Sequence, residues 1–210
     1  MAGISGHFNY FKKMKNLKAL NVFIIFCFIF INEIFAQHIP VRKTDLWSRV
    51  KMINPVSVIT KQPIIGGKNT IFVFLSPECP LSRNYIPELN RIKNVYKSFE
   101  LIGVFPGKSY SLKEVKAFIK EYKLTFTSVI DEKKLLTNLL NGTVTPEVVL
   151  VDNKGTIAYS GLVDDKIIEL GQQRQVASKH FLTDAIEALE TNKKITVSNT
   201  KPIGCYINDL

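Results

Sequence analysis

The sequence predicts an α/β protein with a central mixed β-sheet, helices on both faces and an antiparallel hairpin at one edge. Three observations carry this expectation. Short runs of apolar, β-branched and aromatic residues at 71–75, 99–105 and 126–130 read as strands covered on both faces. Each is followed by a segment whose apolar residues recur at helical spacing, and such alternation builds a parallel core with helices packed against it. Two further strand-like runs, 147–152 and 156–160, flank Asn153-Lys154-Gly155, a hairpin turn with glycine where a left-handed conformation is needed.

The chain opens with a basic stretch, Lys12, Lys13, Lys15 and Lys18, followed by an apolar run over 22–31 and the small residue Ala36. This pattern predicts a secretory signal peptide over residues 1–36, with Met14 an alternative start. The rival is an uncleaved membrane anchor, but a spanning helix needs ~20 apolar residues and the uninterrupted run is shorter. Cys27 has no small residues before it, so a lipoprotein signal is not supported. The organisation expected is a leader over 1–36, one folded domain over 37–191 and a tail over 192–210 that carries Cys205.

Within the domain, residues 37–61 show weak patterning, with one short strand at 56–59 and a lone Trp47 read as packing. Gly66-Gly67 reads as a loop leading into the first strand; no Gly-Lys-Ser/Thr follows, which excludes a phosphate loop. After Pro77, Pro80 suits the first turn of a helix, and Tyr85, Leu89, Ile92 and Tyr96 give that helix its buried face. Ser111 and Glu114 form a capping box before a helix that buries Leu112, Val115, Phe118, Ile119 and Tyr122. Asp131 is expected to cap a helix with the stripe Leu135, Leu136, Leu139 and Leu140, stopped at Gly142. Residues 164–177 read as a polar excursion, and 178–191 as the last helix, anchored by Ala185, Ile186 and Leu189. The tail ends in Ile203, Cys205, Tyr206 and Ile207, apolar enough to predict docking on the body.

Cys79 carries the chemistry. It falls at or next to the helix N-cap, where unpaired N–H groups and the positive end of the helix dipole favour a thiolate. Arg83, one turn in, is expected to add positive charge. The bland alternative is a buried structural cysteine, which is what most free cysteines are. Ser82 either donates to the thiolate or caps backbone.

The strand, Cys79-Pro-Leu-Ser82 and a helix with Pro87 inside it resemble the active-site segment of the thioredoxin-like superfamily, in particular its periplasmic redoxins. The resemblance spans roughly residues 71–161. Thr145-Pro146 matches the family's cis-proline that faces the cysteine, and the tail around Gly204-Cys205-Tyr206-Ile207 is similar to a redoxin subgroup with a C-terminal cysteine, sometimes fused to cytochrome c modules. Ser82 stands where those proteins commonly carry a second cysteine, so this site cannot close a local disulfide. The resemblance implies a thioredoxin-like fold, thiol–disulfide oxidoreductase activity without a cofactor or metal, and Cys79, Ser82, Thr145, Pro146 and Cys205 as site residues.

Removing the leader takes away four lysines and Glu33, which lowers the formal net charge from +10 to +7. The remaining lysines are scattered without aromatic interleaving, which argues against nucleic acid. Cleavage leaves two cysteines, Cys79 and Cys205, in an oxidising compartment, periplasmic or extracellular. Cys205 is a resolving thiol, an intermolecular link or an inert tail residue. Expected partners are protein or small-molecule thiols and disulfides, with cytochrome c-type modules as a further class, and the leader is the only membrane contact expected. Two other functions compete. A peroxiredoxin-like peroxidase is suggested by Ser76, three residues before Cys79, although Phe72 stands where the motif proline belongs and no arginine can be assigned. A copper or haem-assembly metallochaperone would use Cys79, Cys205 and His180.

Overall fold

In the computed structural model, residues 45–207 are described; the leader expected over 1–36 lies outside them. A five-stranded sheet has the order β3-β2-β1-β5-β6. Its strands are β1 (Thr70–Phe74), β2 (Glu100–Pro106), β3 (Thr127–Asp131), β5 (Glu147–Val151) and β6 (Ile157–Gly161), with the short β4 (Val144–Thr145) between β3 and β5 in the chain. β1 pairs in parallel with β2, and β2 with β3, whereas β5 runs antiparallel to both β1 and β6. The expected mixed sheet with an antiparallel edge is therefore present. Gly155 closes the β5–β6 turn at φ 83°, a conformation that favours glycine.

All five residues of β1 are buried, and they alternate between two cores. Ile71 and Val73 face one side, with Tyr85, Ile86, Leu89 and Ile92 of α2 (Pro80–Val95), Val115 and Phe118 of α3 (Leu112–Glu121), and Leu182, Ala185 and Ile186 of α5 (Phe181–Glu190). Phe72 and Phe74 face the other, with Trp47 and Val50 of α1 (Leu46–Ile53) and Leu136 and Leu139 of α4 (Leu135–Leu139). A strand clad on both faces needs no polar alternation, which is why its sequence reads as one apolar run.

The structure departs from expectation at several elements. Residues 46–53 form a helix that the weak pattern did not reveal, capped by Asp45 accepting from Ser48 N. Its Trp47 does pack: the ring is buried and its Nε1 donates to the Asp152 carbonyl at 2.9 Å. Residues 56–59 make only isolated bridges, Val56 to Pro63 and Ser57 to Val129. The capping box of Ser111 and Glu114 is formed, but Leu112 is exposed, and Val115 and Phe118 are the residues of α3 that are buried. Asp131 is not the N-cap residue of α4, but its carboxylate does satisfy an N–H of the first turn. It ends β3 and accepts from the N–H and hydroxyl of Thr137, while Lys134, at φ 52°, is the N-cap residue of α4, whose Leu135 is exposed and whose Leu136 and Leu139 are buried. The polar excursion contains a small hairpin, β7 (Ile167–Glu169) with β8 (Gln172–Gln173), turned at Gly171. Among the described residues no helix is long and apolar enough to cross a membrane.

The tail docks, in two places. At the β6 edge, Ser160 N donates to Ser198 O (3.1 Å) and Thr200 N to Ser160 O (3.0 Å), while the Thr200 hydroxyl accepts from Leu162 N and meets the Tyr159 hydroxyl, both at 2.8 Å. Further on, β9 (Cys205–Tyr206) pairs antiparallel with β4. Gly161 permits the first contact: its φ is 130°, and a Cβ there would run into Thr200. Gly161→Ala is therefore expected to cost about 1–3 kcal/mol, the range for strained backbone, and to detach the tail; urea unfolding and protection of the Thr200 amide from exchange measure the two effects.

Candidate functional site

Leu75 N still donates to Val104 O at 2.8 Å, so the sheet positions the chain up to the turn that follows it. In that turn Cys79 N donates to Ser76 O (3.2 Å), and Cys79 becomes the N-cap of α2 with Pro80 in the first turn. Cys79 has no side-chain capping bond of its own, which leaves its sulfur for other partners. Pro87 interrupts the backbone ladder of α2, and its missing N–H removes one bond from the helix interior.

Across from Cys79 the Thr145–Pro146 bond is cis. That turns the Thr145 carbonyl toward the sulfur, and Cys79 Sγ donates to it at 3.0 Å. Thr145 is also the residue that β9 pairs with: Thr145 faces Cys205, Val144 faces Tyr206, and Ile207 N donates to Thr143 O at 3.0 Å. Gly204 makes this approach possible, since a Cβ on it would run into the Thr145 backbone. Cys79, Thr145, Pro146, Ser82 and Cys205 are thus gathered at one point. Cys79 is only 1% exposed, and the more accessible Cys205 lies with it at a cleft of about 240 Å³ lined also by Ser76, Glu78 and Tyr110.

The two thiols are polarised in opposite directions. Burial raises Cys79, but it is outweighed by hydrogen bonds from the Cys205 thiol, the Ser82 N–H and the Thr145 and Ser82 hydroxyls, so the net shift is downward. Cys205 is pushed up to about 12, first by burial, then by its hydrogen bond to Cys79 and by the negative charge there. Of the two thiols, Cys79 is shifted toward ionisation and Cys205 away from it. The Ser82 hydroxyl accepts from Ser76 N at 3.2 Å, and Ser82 is among the causes of the downward shift of Cys79.

Arg83 also makes a structural contact. Its Nε and Nη2 donate to the Pro77 carbonyl at 2.8 and 2.6 Å, so the guanidinium clamps the turn, and the groups that lower Cys79 are Cys205, Ser82 and Thr145. His180 lies elsewhere. It is the N-cap of α5 and lines a separate, larger cleft of about 590 Å³ with Tyr85, Arg91, Asp164 and Lys166. Among the described residues no three His, Cys, Asp or Glu side chains are grouped to hold a metal.

Two site residues escaped the sequence. Tyr110, in the loop after β2, meets the Ser76 hydroxyl at 2.7 Å, and nothing in its neighbourhood marked it. Glu147 accepts from the N–H and hydroxyl of Thr143 and from Val144 N. A carboxylate opening a strand that is otherwise apolar was the available signal.

Two substitutions separate the causes of Cys79 reactivity. Ser82→Ala removes a charge-assisted hydrogen bond of ~1.5 kcal/mol, so iodoacetamide labelling of Cys79 near neutral pH should slow roughly tenfold while its limiting rate at high pH stays unchanged. Deleting residues 202–210 should also move the labelling midpoint upward, because the Cys205 donor is lost, but should raise the limiting rate by uncovering the sulfur. A midpoint at the ordinary ~8.5 of a free thiol in the intact protein would mean that Cys79 is a structural cysteine.

The fold is similar to that of an uncharacterized conserved protein from Geobacillus kaustophilus, at a TM-score of 0.65 and 19% identity over 74% of this chain and 87% of that one. It is also similar to a hypothetical protein from Sinorhizobium meliloti 1021, at a TM-score of 0.60 and 20% identity over 67% and 79%. No curated protein matches the sequence. The AhpC/TSA family matches residues 56–160, half of the chain, and includes the strand, the Cys79 turn, the helix after it and the cis-proline. The chain therefore belongs to the AhpC/TSA family, on a thioredoxin-like fold.

Proposed function

We propose that this protein is an exported thiol–disulfide oxidoreductase in which Cys79 is the attacking thiolate and Cys205 the resolving thiol. The observation that supports the reading is the Thr145–Cys205 pairing, which brings Cys205 to the cleft of the helix-capping Cys79. The Cys79 thiolate attacks one sulfur of a partner disulfide, forms a mixed disulfide and releases the other sulfur as thiolate. Cys205 then loses its proton, attacks the Cys79 sulfur and expels the partner's second thiolate. The pair gives up two electrons, and the partner disulfide becomes two thiols. A dithiol donor returns the electrons. Partners are protein or small-molecule thiols and disulfides, with cytochrome c-type modules a further class that the tail suggests.

The opposed shifts order these steps. While Cys79 is a thiolate, its charge and its hydrogen bond hold the proton on Cys205. Once Cys79 is covalently bound to the partner, the charge is gone and burial alone still opposes ionisation of Cys205. Attachment of the partner therefore removes the smaller causes that hold the proton on Cys205, while burial, the largest, remains.

The family match favours a second reading, peroxide reduction. There the Cys79 thiolate takes the terminal peroxide oxygen, becomes a sulfenic acid and releases an alcohol or water, after which the Cys205 thiol condenses with it and water leaves. The Ser76 hydroxyl is engaged with Tyr110, Phe72 stands where the peroxidase motif has proline and no arginine can be assigned, so the disulfide reading is preferred. Insulin or model-disulfide reduction against hydrogen peroxide turnover separates the two. The disulfide reading predicts the first activity, loss of it in Cys79→Ser, and accumulated mixed disulfides or Cys79-linked dimers in Cys205→Ser. Peroxide turnover without disulfide reduction would overturn it.

A further inference from the structure

Glu147 follows the cis Thr145–Pro146 bond directly and opens β5, opposite Phe74 of β1. It is 5% exposed. One carboxylate oxygen, Oε2, accepts from Thr143 N at 2.7 Å, from the Thr143 hydroxyl at 2.9 Å and from Val144 N at 3.2 Å. Such charge-assisted bonds are roughly twice as strong as neutral ones. Residues 143–147 are thereby tied into a loop closed across the cis bond, with the carboxylate as its clasp.

Both halves of the cysteine pair are mounted on that loop. The Thr145 carbonyl receives Cys79 Sγ, and Thr143, Val144 and Thr145 carry Ile207, Tyr206 and Cys205 on the other side. Glu147 is not among the groups that shift either thiol, so any influence it has on the sulfurs passes through the backbone it holds. We propose that Glu147 is a positioning residue for exchange: by fixing segment 143–145 it sets the effective concentration of Cys205 at Cys79. This rests on the reading of Cys79 and Cys205 as a redox pair.

Oxidised glutathione probes the idea in two steps. The Cys79 thiolate first attacks the glutathione disulfide, keeps one glutathionyl group and releases the other as thiolate. Measured in a Cys205→Ser background, this step reports on Cys79 with the Cys205 thiol removed. In the second, Cys205 is deprotonated, attacks the Cys79 sulfur and expels the remaining glutathione thiolate, and here its placement is decisive. In the intact mature protein, Glu147→Ala should slow the second step and lower the equilibrium constant for the protein disulfide about tenfold. That factor raises the reduction potential by about 30 mV. Glu147→Gln keeps an acceptor oxygen and should recover most of the loss. The first step, measured in a Cys205→Ser background, should stay within about twofold throughout. Thr143→Ala removes one donor to the same carboxylate and should shift ring closure in the same direction by less, so the test survives a Glu147→Ala chain that fails to fold. Ring closure at the wild-type rate in these variants would overturn the proposal, as would an equal slowing of both steps that tracks lost stability in urea. If wild type forms no Cys79–Cys205 disulfide with glutathione, the redox-pair reading itself fails.

Discussion

Antiparallel pairing between Val144-Thr145 and Cys205-Tyr206 brings the last cysteine of the chain to a cysteine at the first helix after β1. The pairing is short, so it depends on its surroundings. Gly204 lets the tail come close to the Thr145 backbone, and Gly161 lets Thr200 anchor the tail at the β6 edge before it reaches the site. Glu147 holds the strand that receives it. The cis bond at Pro146 directs the Thr145 carbonyl to Cys79 from the opposite side. Each of these features is weak or local, and together they fix the distance between two thiols.

Placing the second thiol on a strand rather than on the helix changes the electrostatics. A Cys-x-x-Cys motif would put both sulfurs on one helical turn. Here Ser82 fills the second place, fully buried, where it supports the Ser76 backbone and contributes its N–H and hydroxyl to Cys79. Cys205 approaches as a proton-bearing donor from the tail. Hydrogen bonding thereby shifts Cys79 downward despite almost complete burial, and the Arg83 guanidinium braces the turn.

The sheet and the cysteine's position were legible because they follow from local pattern. The strand at 71–75 is apolar throughout since both faces are covered, and Pro80 fixes the helix start that makes Cys79 its cap. The docking of the tail was legible too, from apolar residues in a polar terminus. Much of the rest was set by tertiary contact. Helix 46–53 has too short an apolar stripe to stand out and is held by the packing of Trp47 and Val50 on the sheet. Where Arg83 would point could not be read from its helical position, because the Pro77 carbonyl competes for it. Tyr110 reaches Ser76 only because β2 delivers its loop beside the Cys79 turn. Glu147 looked like a strand residue, and its role exists only once Pro146 is cis and residue 143 folds back on it.

The account turns on Cys79 and Cys205 being direct redox partners within one chain. Peptide mapping of mildly oxidised mature protein without reduction tests this most directly, read together with its mass in solution. The account predicts a monomer with no free thiol and a single linked pair of peptides, one carrying Cys79 and the other Cys205. Both cysteines recovered free, or joined only between chains, would contradict it.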